Sequence, residues 1–323
     1  MKRIIFWFTL ALLFFFSFVL LLTWSLPDIQ LPEPSTVLDI NGKPIKGLSD
    51  LNSIDIPLEE VSDHFINAII AVEDKHFYRH HGIDISGIVR AFIINIKEQR
   101  IAAGGSTITQ QTAKNLFLTN ERTVARKFKE LLYAIQLERA YSKNEILNMY
   151  CNTIYFGHGA YGIEVAARTF FGKNAKDLNL AEASLLAGLT NWPSRYDPYV
   201  NPTEAIMRQK VVLQRMVEET MITEEEQAEA LQVELEFRQV TLMGGDAPYF
   251  IAMVRKQISN KYGERMVVQG GLRIYTTLDL DMQKAANAAY STVMQEKEPD
   301  LQAILVALDI KTGGIRALIG GRD

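Results

Sequence analysis

An uncharged run of 21 residues lies near the start of the chain, from Ile4 to Trp24 (IIFWFTLALLFFFSFVLLLTW). A helix rises about 1.5 Å per residue, so a run of this length spans the roughly 30 Å hydrocarbon core of a bilayer. A cleavable signal peptide is the alternative, but its apolar region is only about 7 to 15 residues long and ends at a small-x-small site. The following LTWSLPD offers no such site, so the run predicts a transmembrane anchor over residues 1–25.

Charge predicts the orientation of this anchor. Lys2 and Arg3 precede it, whereas Asp28 and Glu33 follow it. Because positive residues favour the cytoplasmic side of a membrane, we expect a single-pass protein of the cell membrane with a cytoplasmic N-terminus and an extracytoplasmic catalytic domain. The whole chain has 34 Lys and Arg residues, 38 Asp and Glu residues and a net charge of −4. This balance argues against nucleic acid as a partner.

The rest of the sequence is long and apolar enough for more than one folded region. A hydrophobic fraction of 48% excludes general disorder, and the single cysteine, Cys151, excludes an intramolecular disulfide. Residues 26–45 combine prolines with an Asn41-Gly42 turn, which predicts a linker and a short hairpin. Helical spacing dominates residues 46–238, and β-rich runs dominate residues 239–323. We therefore predict a mainly α domain followed by a partial α+β region.

Local signals predict the individual helices. Ser106 is predicted to cap the N-terminus of TITQQTAKNLF, and Ser142 and Asn179 each begin a capping box that a glutamate closes three residues later. In the long helix predicted over 123–141, the buried face is predicted to consist of Phe128, Leu131, Leu132, Ile135 and Leu137. The other predicted helices cover 60–75, 85–98, 201 to about 221, and about 282–297.

The stretch from Glu73 to Glu145 is basic within an acidic chain. It has twelve Lys and Arg residues and eight Asp and Glu residues, so it carries a charge of +4. A basic zone beside a membrane anchor is typical of a site for an anionic ligand at headgroup level, such as a lipid phosphate. The other interpretation is an ordinary solvated helix face.

Two adjacent acids, Glu73 and Asp74 in AVEDKHFYRHHG, lie where an apolar helical run meets a turn. Partial burial of a carboxyl raises its pKa toward neutral pH, which suits a general base. The alternative is an acid that closes the helix end in a salt bridge with Lys75 or Arg79.

Two further motifs combine polar and charged groups. In GGSTITQQTAKN a glycine pair precedes Ser106 and Thr107, and free N–H groups and hydroxyls at a helix start suit a phosphate or a sugar. In RTVARKFKELL, helical spacing puts Arg126, Lys127 and Glu130 on one side. A capped surface helix and a solvated ion pair are the respective alternatives.

The combination of two acids, Glu73 and Glu130, with the cations Lys114, Arg126 and Lys127 discriminates between reactions. A glycoside hydrolase needs a carboxylic acid that protonates a poor leaving group, beside a second carboxylate. A transferase that uses a sugar diphosphate has a good anionic leaving group, and needs one base and cations that hold the phosphates. The cations therefore favour the transferase.

Four ordered motifs resemble those of the peptidoglycan glycosyltransferases (glycosyltransferase family 51) of class A penicillin-binding proteins and monofunctional transglycosylases. They are EDKHFYRHHG, GGSTITQQ, RKFKE and KNEILNMYCNTIYFG. A fifth stretch, AEASLLAGLTNWPSRYDPYVNP, also fits, so the resemblance covers about residues 46–235. It implies a lysozyme-like, mainly α fold in two lobes that polymerises lipid II into glycan strands at the outer leaflet.

The resemblance also implies roles for individual residues. Glu73 is the general base on the 4-hydroxyl of the incoming GlcNAc, which attacks the MurNAc anomeric carbon of the undecaprenyl-diphosphate-linked chain with inversion. Glu130 assists at the donor side, and Lys114, Arg126 and Lys127 match positions associated with the diphosphate. The matches to cleft residues are Asp74, Phe77, His80, Gly82, Ser106, Thr107, Gln110, Gln111 and Asn115. The fourth motif contributes Lys143, Asn152 and Tyr155, for which we expect structural support.

The implied partners are lipid II, the growing glycan strand, the membrane and proteins of cell-wall synthesis. No cofactor is required. His76 and His80 lie four residues apart, but no neighbouring residues complete a zinc site, so no metal site is predicted. A divalent cation, Mg²⁺ or Mn²⁺, near Asp74 or the diphosphate is an optional addition.

The β-rich region resembles the linker and first strands of the transpeptidase half of a class A penicillin-binding protein. The serine motif S-x-x-K of that half is absent from the sequence, so we expect a truncated start of that half, without transpeptidation or penicillin binding. Two other functions stay open. One is a lysozyme-like lytic transglycosylase, and the other is a non-catalytic, membrane-anchored scaffold for wall assembly.

Overall fold

The computed structural model describes residues 7, 26–27, 35–46, 54–98, 104–118, 123–238, 245–263, 266–267, 270–298 and 300–322. Only Trp7 of the predicted anchor is among them, so the predicted transmembrane helix lies outside the described residues. None of the described helices has the length and apolar character that a membrane crossing needs.

The chain divides into two compact units. The first contains residues 56–155 and 175–235, with the described residues before position 31. The second contains the described parts of 31–55, 156–174 and 236–323.

The first unit is built from α-helices, which confirms the predicted mainly α character. Its helices in the described residues are α1 (Asp63–Glu73), α2 (Ile85–Glu98), α3 (Ile108–Phe117), α4 (Val124–Ala140), α5 (Lys143–Thr153), α7 (Leu180–Leu189), α8 (Pro202–Glu218) and α9 (Glu224–Gln232). Short 3₁₀ turns at Leu58–Glu60 and Ala175–Asp177 precede α1 and α7.

Two groups of helices form the core of this unit. α1, α7 and α8 pack against one another, and α7 is buried along almost its whole length because apolar or small residues cover most of its surface. α3 packs against α4 and α5. Phe65 on α1, Ile108 on α3 and Leu147 on α5 are fully buried.

Capping chemistry fixes several helix ends. The capping boxes predicted at Ser142 and Asn179 are confirmed. Each cap side chain accepts the backbone N–H of the glutamate at N3, and that glutamate's carboxylate accepts the backbone N–H of the cap residue. The prediction for Ser106 is wrong by one residue. Thr107 caps α3 instead, since its extended backbone lets its hydroxyl accept the N–H of Gln110.

The predicted inner face of α4 is partly wrong. Leu137 is fully buried, but Phe128 is 53% exposed, and Leu131, Leu132 and Ile135 are only half-buried. The buried residues at helical spacing are Glu130, Ala134 and Leu137. This face packs against α3, so tertiary contact overrides the pattern of apolar residues and turns a carboxylate inward.

Among its described residues, the second unit combines short strands with helices. They are β1 (Thr36–Leu38), β3 (Ala160–Tyr161), α6 (Ile163–Phe171), α10 (Pro248–Tyr262), β4 (Arg273–Tyr275), α11 (Leu280–Gln295), β5 (Leu305–Leu308) and β6 (Ile315–Ile319), with β2 (Tyr155–Gly157) beginning at the last residue of the first unit. β1 pairs with β4 in parallel, and β5 with β6 antiparallel. The predicted hairpin around Asn41-Gly42 is confirmed by backbone bonds from Asp39 to Lys43 and from Ile45 to Val37.

Candidate active site

Glu73 is the last residue of α1, and its side chain is half-buried. Gln111 Nε2 on α3 donates to Glu73 Oε2 over 2.6 Å, and Thr190 Oγ1, which caps the end of α7, lies 3.2 Å from Glu73 Oε1. A helix C-terminus is an unfavourable place for a carboxylate because it carries the negative end of the helix dipole. The two donors offset that effect and fix the orientation of the carboxylate, while its partial exposure leaves it accessible to a ligand.

Asp74 is buried and links α1 to α3. Its carboxylate contacts His80 Nε2 at 2.9 and 3.0 Å and accepts the backbone N–H of Ile108 over 2.9 Å. The His80 side chain is only 8% exposed. These two predicted cleft residues therefore hold the turn after Glu73 against the start of α3.

The turn after α1 is also fixed at Phe77 and Gly82. Phe77 is fully buried, and Lys143 Nζ lies 4.4 Å from the centre of its ring. Gly82 has φ +85°, and a Cβ there would lie 3.0 Å from the carbonyl oxygen of Ala134. The carbonyl of Gly82 accepts the Thr107 hydroxyl over 2.7 Å. Only glycine fits this position without strain.

Glu73 is the first acidic centre of the candidate site, and Glu130 is the second. Glu130 is 3% exposed and contacts Arg126 Nη1 at 2.7 Å through one oxygen and Lys127 Nζ through the other. Lys127 Nζ also donates to Ser106 Oγ at 2.8 Å and to Gln110 Oε1 at 3.4 Å. A buried carboxylate needs such partners, and two cations against one carboxylate leave this cluster with one positive charge.

The two acidic centres meet α3 at adjacent residues. Gln111 contacts Glu73, and Gln110 contacts Lys127 of the Glu130 cluster. Lys114 and Asn115 follow Gln111 by three and four residues, so helical spacing puts them on its side of α3, where both are half-buried. One helix thus carries polar groups toward both centres.

The predicted residues of the fourth motif contact neither Glu73 nor Glu130 in the hydrogen bonds described for them. Lys143 Nζ contacts Glu138 Oε1 at 2.7 Å. Asn152 exchanges two hydrogen bonds with the backbone of Ile56, at 2.9 and 3.2 Å, and so fixes the segment before the first 3₁₀ turn. Tyr155 is half-buried at the start of β2. The structure brings Lys143, at the start of α5, near the turn after α1, whereas Asn152, at the other end of α5, contacts the segment at Ile56.

Sequence reasoning assigned no role to Thr190 or Glu138. Thr190 lies within the fifth motif, 117 residues after Glu73, and no local signal connects them. Glu138 follows Glu130 by eight residues, a spacing that puts both on one side of α4. It accepts hydrogen bonds from Thr109 and Lys143, and so joins α3, α4 and α5. Its helical register with Glu130 is the signal that could have indicated it.

His76 and His80 of the first motif do not converge on one ligand. His76 Nδ1 contacts Asp84 at 3.1 Å, whereas His80 contacts Asp74. Within the described ranges, no group of three or more His, Cys, Asp or Glu side chains is arranged to hold a metal ion.

Known proteins resemble this chain. A family model described as transglycosylase matches residues 41–217. Penicillin-binding protein 1A of Aquifex aeolicus (strain VF5) is 45% identical over 268 residues, which cover 81% of this chain and 37% of that protein. Penicillin-binding protein 2D of Bacillus subtilis (strain 168) is 38% identical over 305 residues, which cover 92% and 44% respectively.

Among solved structures, a 2.6 Å crystal structure of penicillin-binding protein 1A from Haemophilus influenzae matches with a TM-score of 0.44 and 23% identity, over 88% of this chain and 34% of that one. The chain thus spans less than half the length of the proteins it matches.

Proposed function

The chain belongs to the transglycosylase family, and from that premise we propose that its first unit is a peptidoglycan glycosyltransferase that polymerises lipid II into β-1,4-linked glycan strands. The observation that carries this proposal is the pair of acidic centres joined by α3. Glu73 is oriented and accessible, and Glu130 is buried between two cations. One centre suits a base, and the other suits an anionic leaving group.

In this reaction Glu73 takes the proton from the 4-hydroxyl of the GlcNAc of the acceptor. The freed oxygen attacks the anomeric carbon of the donor MurNAc, the bond from that carbon to the diphosphate oxygen breaks, and the configuration inverts. Undecaprenyl diphosphate leaves with the bonding electron pair. The hydrogen bonds from Gln111 and Thr190 hold the Glu73 carboxylate in one orientation for this transfer.

The diphosphate gains negative charge as it leaves, and nearby cations stabilise that charge. Arg126 and Lys127 contribute one net positive charge after Glu130 is counted, and Lys114 lies on α3, the helix that contacts both centres. Both oxygens of Glu130 are engaged by cations, so neither is presented as a proton donor to a leaving group. This arrangement supports the transferase over a lytic transglycosylase. Mg²⁺ or Mn²⁺ entering with the diphosphate is an optional addition.

An exposed apolar side of α2 supports a position at the membrane surface. Ile85, Val89, Phe92, Ile93 and Ile96 recur at helical spacing, and all are exposed. A row of large apolar side chains in contact with water is unfavourable, and such patches mark surfaces that bind lipid or protein. We propose that this side of α2 faces the outer leaflet that carries lipid II, beside the anchor over residues 1–25.

Our proposal includes the architecture implied by the sequence. Residues 46–238 are the lysozyme-like, two-lobed glycosyltransferase domain, and residues 239–323 are the linker and the start of a transpeptidase domain. The chain is extracytoplasmic after its anchor. Proteins of cell-wall synthesis are further proposed partners.

The test is polymerisation of labelled lipid II by the detergent-solubilised chain, with product length measured on a gel. Glu73→Gln should abolish the polymer, whereas Glu225→Gln, an exposed glutamate on α9, should leave it unchanged. Unchanged lipid II with the folded parent would favour a scaffold. Cleavage of pre-formed glycan would favour a hydrolase.

A further inference from the structure

The two oxygens of Glu73 have different partners. Oε2 is bound by the Gln111 amide nitrogen, which only donates. Oε1 faces the Thr190 hydroxyl at 3.2 Å. That hydroxyl also lies 2.8 Å from the carbonyl oxygen of Ala187, one turn earlier in α7. The single proton of Thr190 therefore has two acceptors within reach, and only one of them changes its charge during the proposed reaction.

Tyr150 on α5 lies behind this contact. Its side chain is fully buried, and its hydroxyl has no hydrogen-bond partner among the described residues by ordinary geometry. Burial raises the pKa of its phenol well above the usual value, and the charge of Glu73 raises it further. The phenol therefore stays protonated beside Glu73 and Thr190.

We propose that Thr190 is a positioning residue for Glu73, whose hydroxyl alternates between two acceptors during the reaction cycle. This inference rests on the proposed function. While Glu73 is ionised, Thr190 donates to Oε1 and holds the carboxylate toward the acceptor sugar. When Glu73 takes the sugar proton, the Thr190 proton turns to the Ala187 carbonyl. The Thr190 hydroxyl has an acceptor in both states. The proton transfer to Glu73 therefore does not leave a buried donor unsatisfied at this position.

The charges around Glu73 decide what a pH profile would report. Titratable and charged groups on the elements packed around it include Asp74 with His80, Lys75 with Glu219, Lys114 on α3, Tyr150 and Cys151 on α5, and Arg208 on α8. Burial raises the pKa of the Cys151 thiol to about 12, so it stays neutral like Tyr150. A substitution at Thr190 alters none of these charges. A shift in the profile would therefore report the Thr190 to Glu73 hydrogen bond itself.

The experiment compares Thr190→Val, which keeps the shape without the hydroxyl, with Thr190→Ser, which keeps the hydroxyl. We expect Thr190→Val to lower kcat for lipid II polymerisation about tenfold with KM unchanged, the scale of a lost hydrogen bond to a charged group. Its acidic limb should move to higher pH, because the carboxylate has lost a donor. Thr190→Ser should keep the parent profile.

Ser184→Ala is the matched control, because Ser184 lies in the same helix and makes the same kind of bond, to the Ala181 carbonyl at 3.0 Å. It should leave the acidic limb in place. Thr190→Ala, assayed beside thermal unfolding, replaces Thr190→Val if the valine variant does not fold. A folded Thr190→Val or Thr190→Ala variant with the parent kcat and profile overturns the inference. So does a Thr190→Ser variant as impaired as the valine one.

Failure of the inference is distinguishable from failure of the proposed function. If Glu73→Gln abolishes the polymer while Thr190→Val behaves as the parent, the glycosyltransferase stands and Thr190 has no positioning role. If Glu73→Gln still makes polymer, Glu73 is not the base, and both the mechanism and this inference are overturned.

Discussion

The Asp74 carboxylate accepts the backbone N–H of Ile108 over 2.9 Å, so the residue that follows α1 also holds the first turn of α3. This contact connects the helix that carries Glu73 with the helix that carries Gln111. A carboxylate at a helix N-terminus is stabilised by the helix dipole and the unpaired N–H groups there. The distance between base and orienting amide therefore depends on Asp74.

Asp74→Asn should lower both stability and activity. The amide keeps the shape but loses the charge that His80 and the start of α3 share. Hydrogen bonds to charged groups contribute about 1.5–3 kcal/mol, so we expect a loss of that order in the free energy of unfolding, measured with urea in detergent. Asp63→Asn, an exposed position at the other end of α1, should cost less. Equal losses would show that Asp74 does not couple the two helices.

The features that could be predicted from sequence are those that depend on neighbours in the chain. The capping boxes at Ser142 and Asn179 join residues three positions apart, and the turn at Asn41-Gly42 needs only four or five residues. In each case the residues that form the stabilising hydrogen bonds lie within the motif itself. The helices and the hairpin followed from these signals.

The features that could not be predicted depend on packing between distant segments. The hydrophobic pattern of α4 predicted that Phe128 is buried. Instead, the contact with α3 buries the face of α4 that carries Glu130 and Ala134. Likewise Thr190 reaches Glu73 only because α7 packs on α1. The resemblance of the motifs named the candidate residues of the first three motifs, whereas their pairing required the fold.

Arg126→Ala should weaken the donor site. Arg126 is one of the two cations on Glu130, and without it the cluster loses its net positive charge. We expect KM for lipid II to rise by roughly tenfold, the scale of one charge-assisted contact to a phosphate. The control is Lys129→Ala, an exposed cation on the same helix, which should leave KM unchanged. A similar rise in KM in both variants would indicate a general electrostatic effect of removing a cation, and would contradict a diphosphate site at Arg126.

Asp84 should make stability depend on pH in the acidic range. Burial raises the pKa of this carboxyl, but hydrogen bonds from Ser86, the Gly87 N–H and His76 outweigh it and lower the pKa to about 2. A carboxyl with a lower pKa in the folded state contributes stability that is present above its unfolded pKa, 3.8, and is lost as the pH falls toward 2.

The urea midpoint of the parent should therefore fall more steeply than that of Asp84→Asn between about pH 4 and pH 2, since the amide does not titrate. The difference in midpoint between the two proteins should be largest above pH 4 and should shrink toward pH 2. Glu234→Gln, which changes an exposed acid outside the helices, should run parallel to the parent. Parallel curves for the parent and Asp84→Asn would mean that the His76, Asp84 and Ser86 contacts do not stabilise the ionised carboxylate.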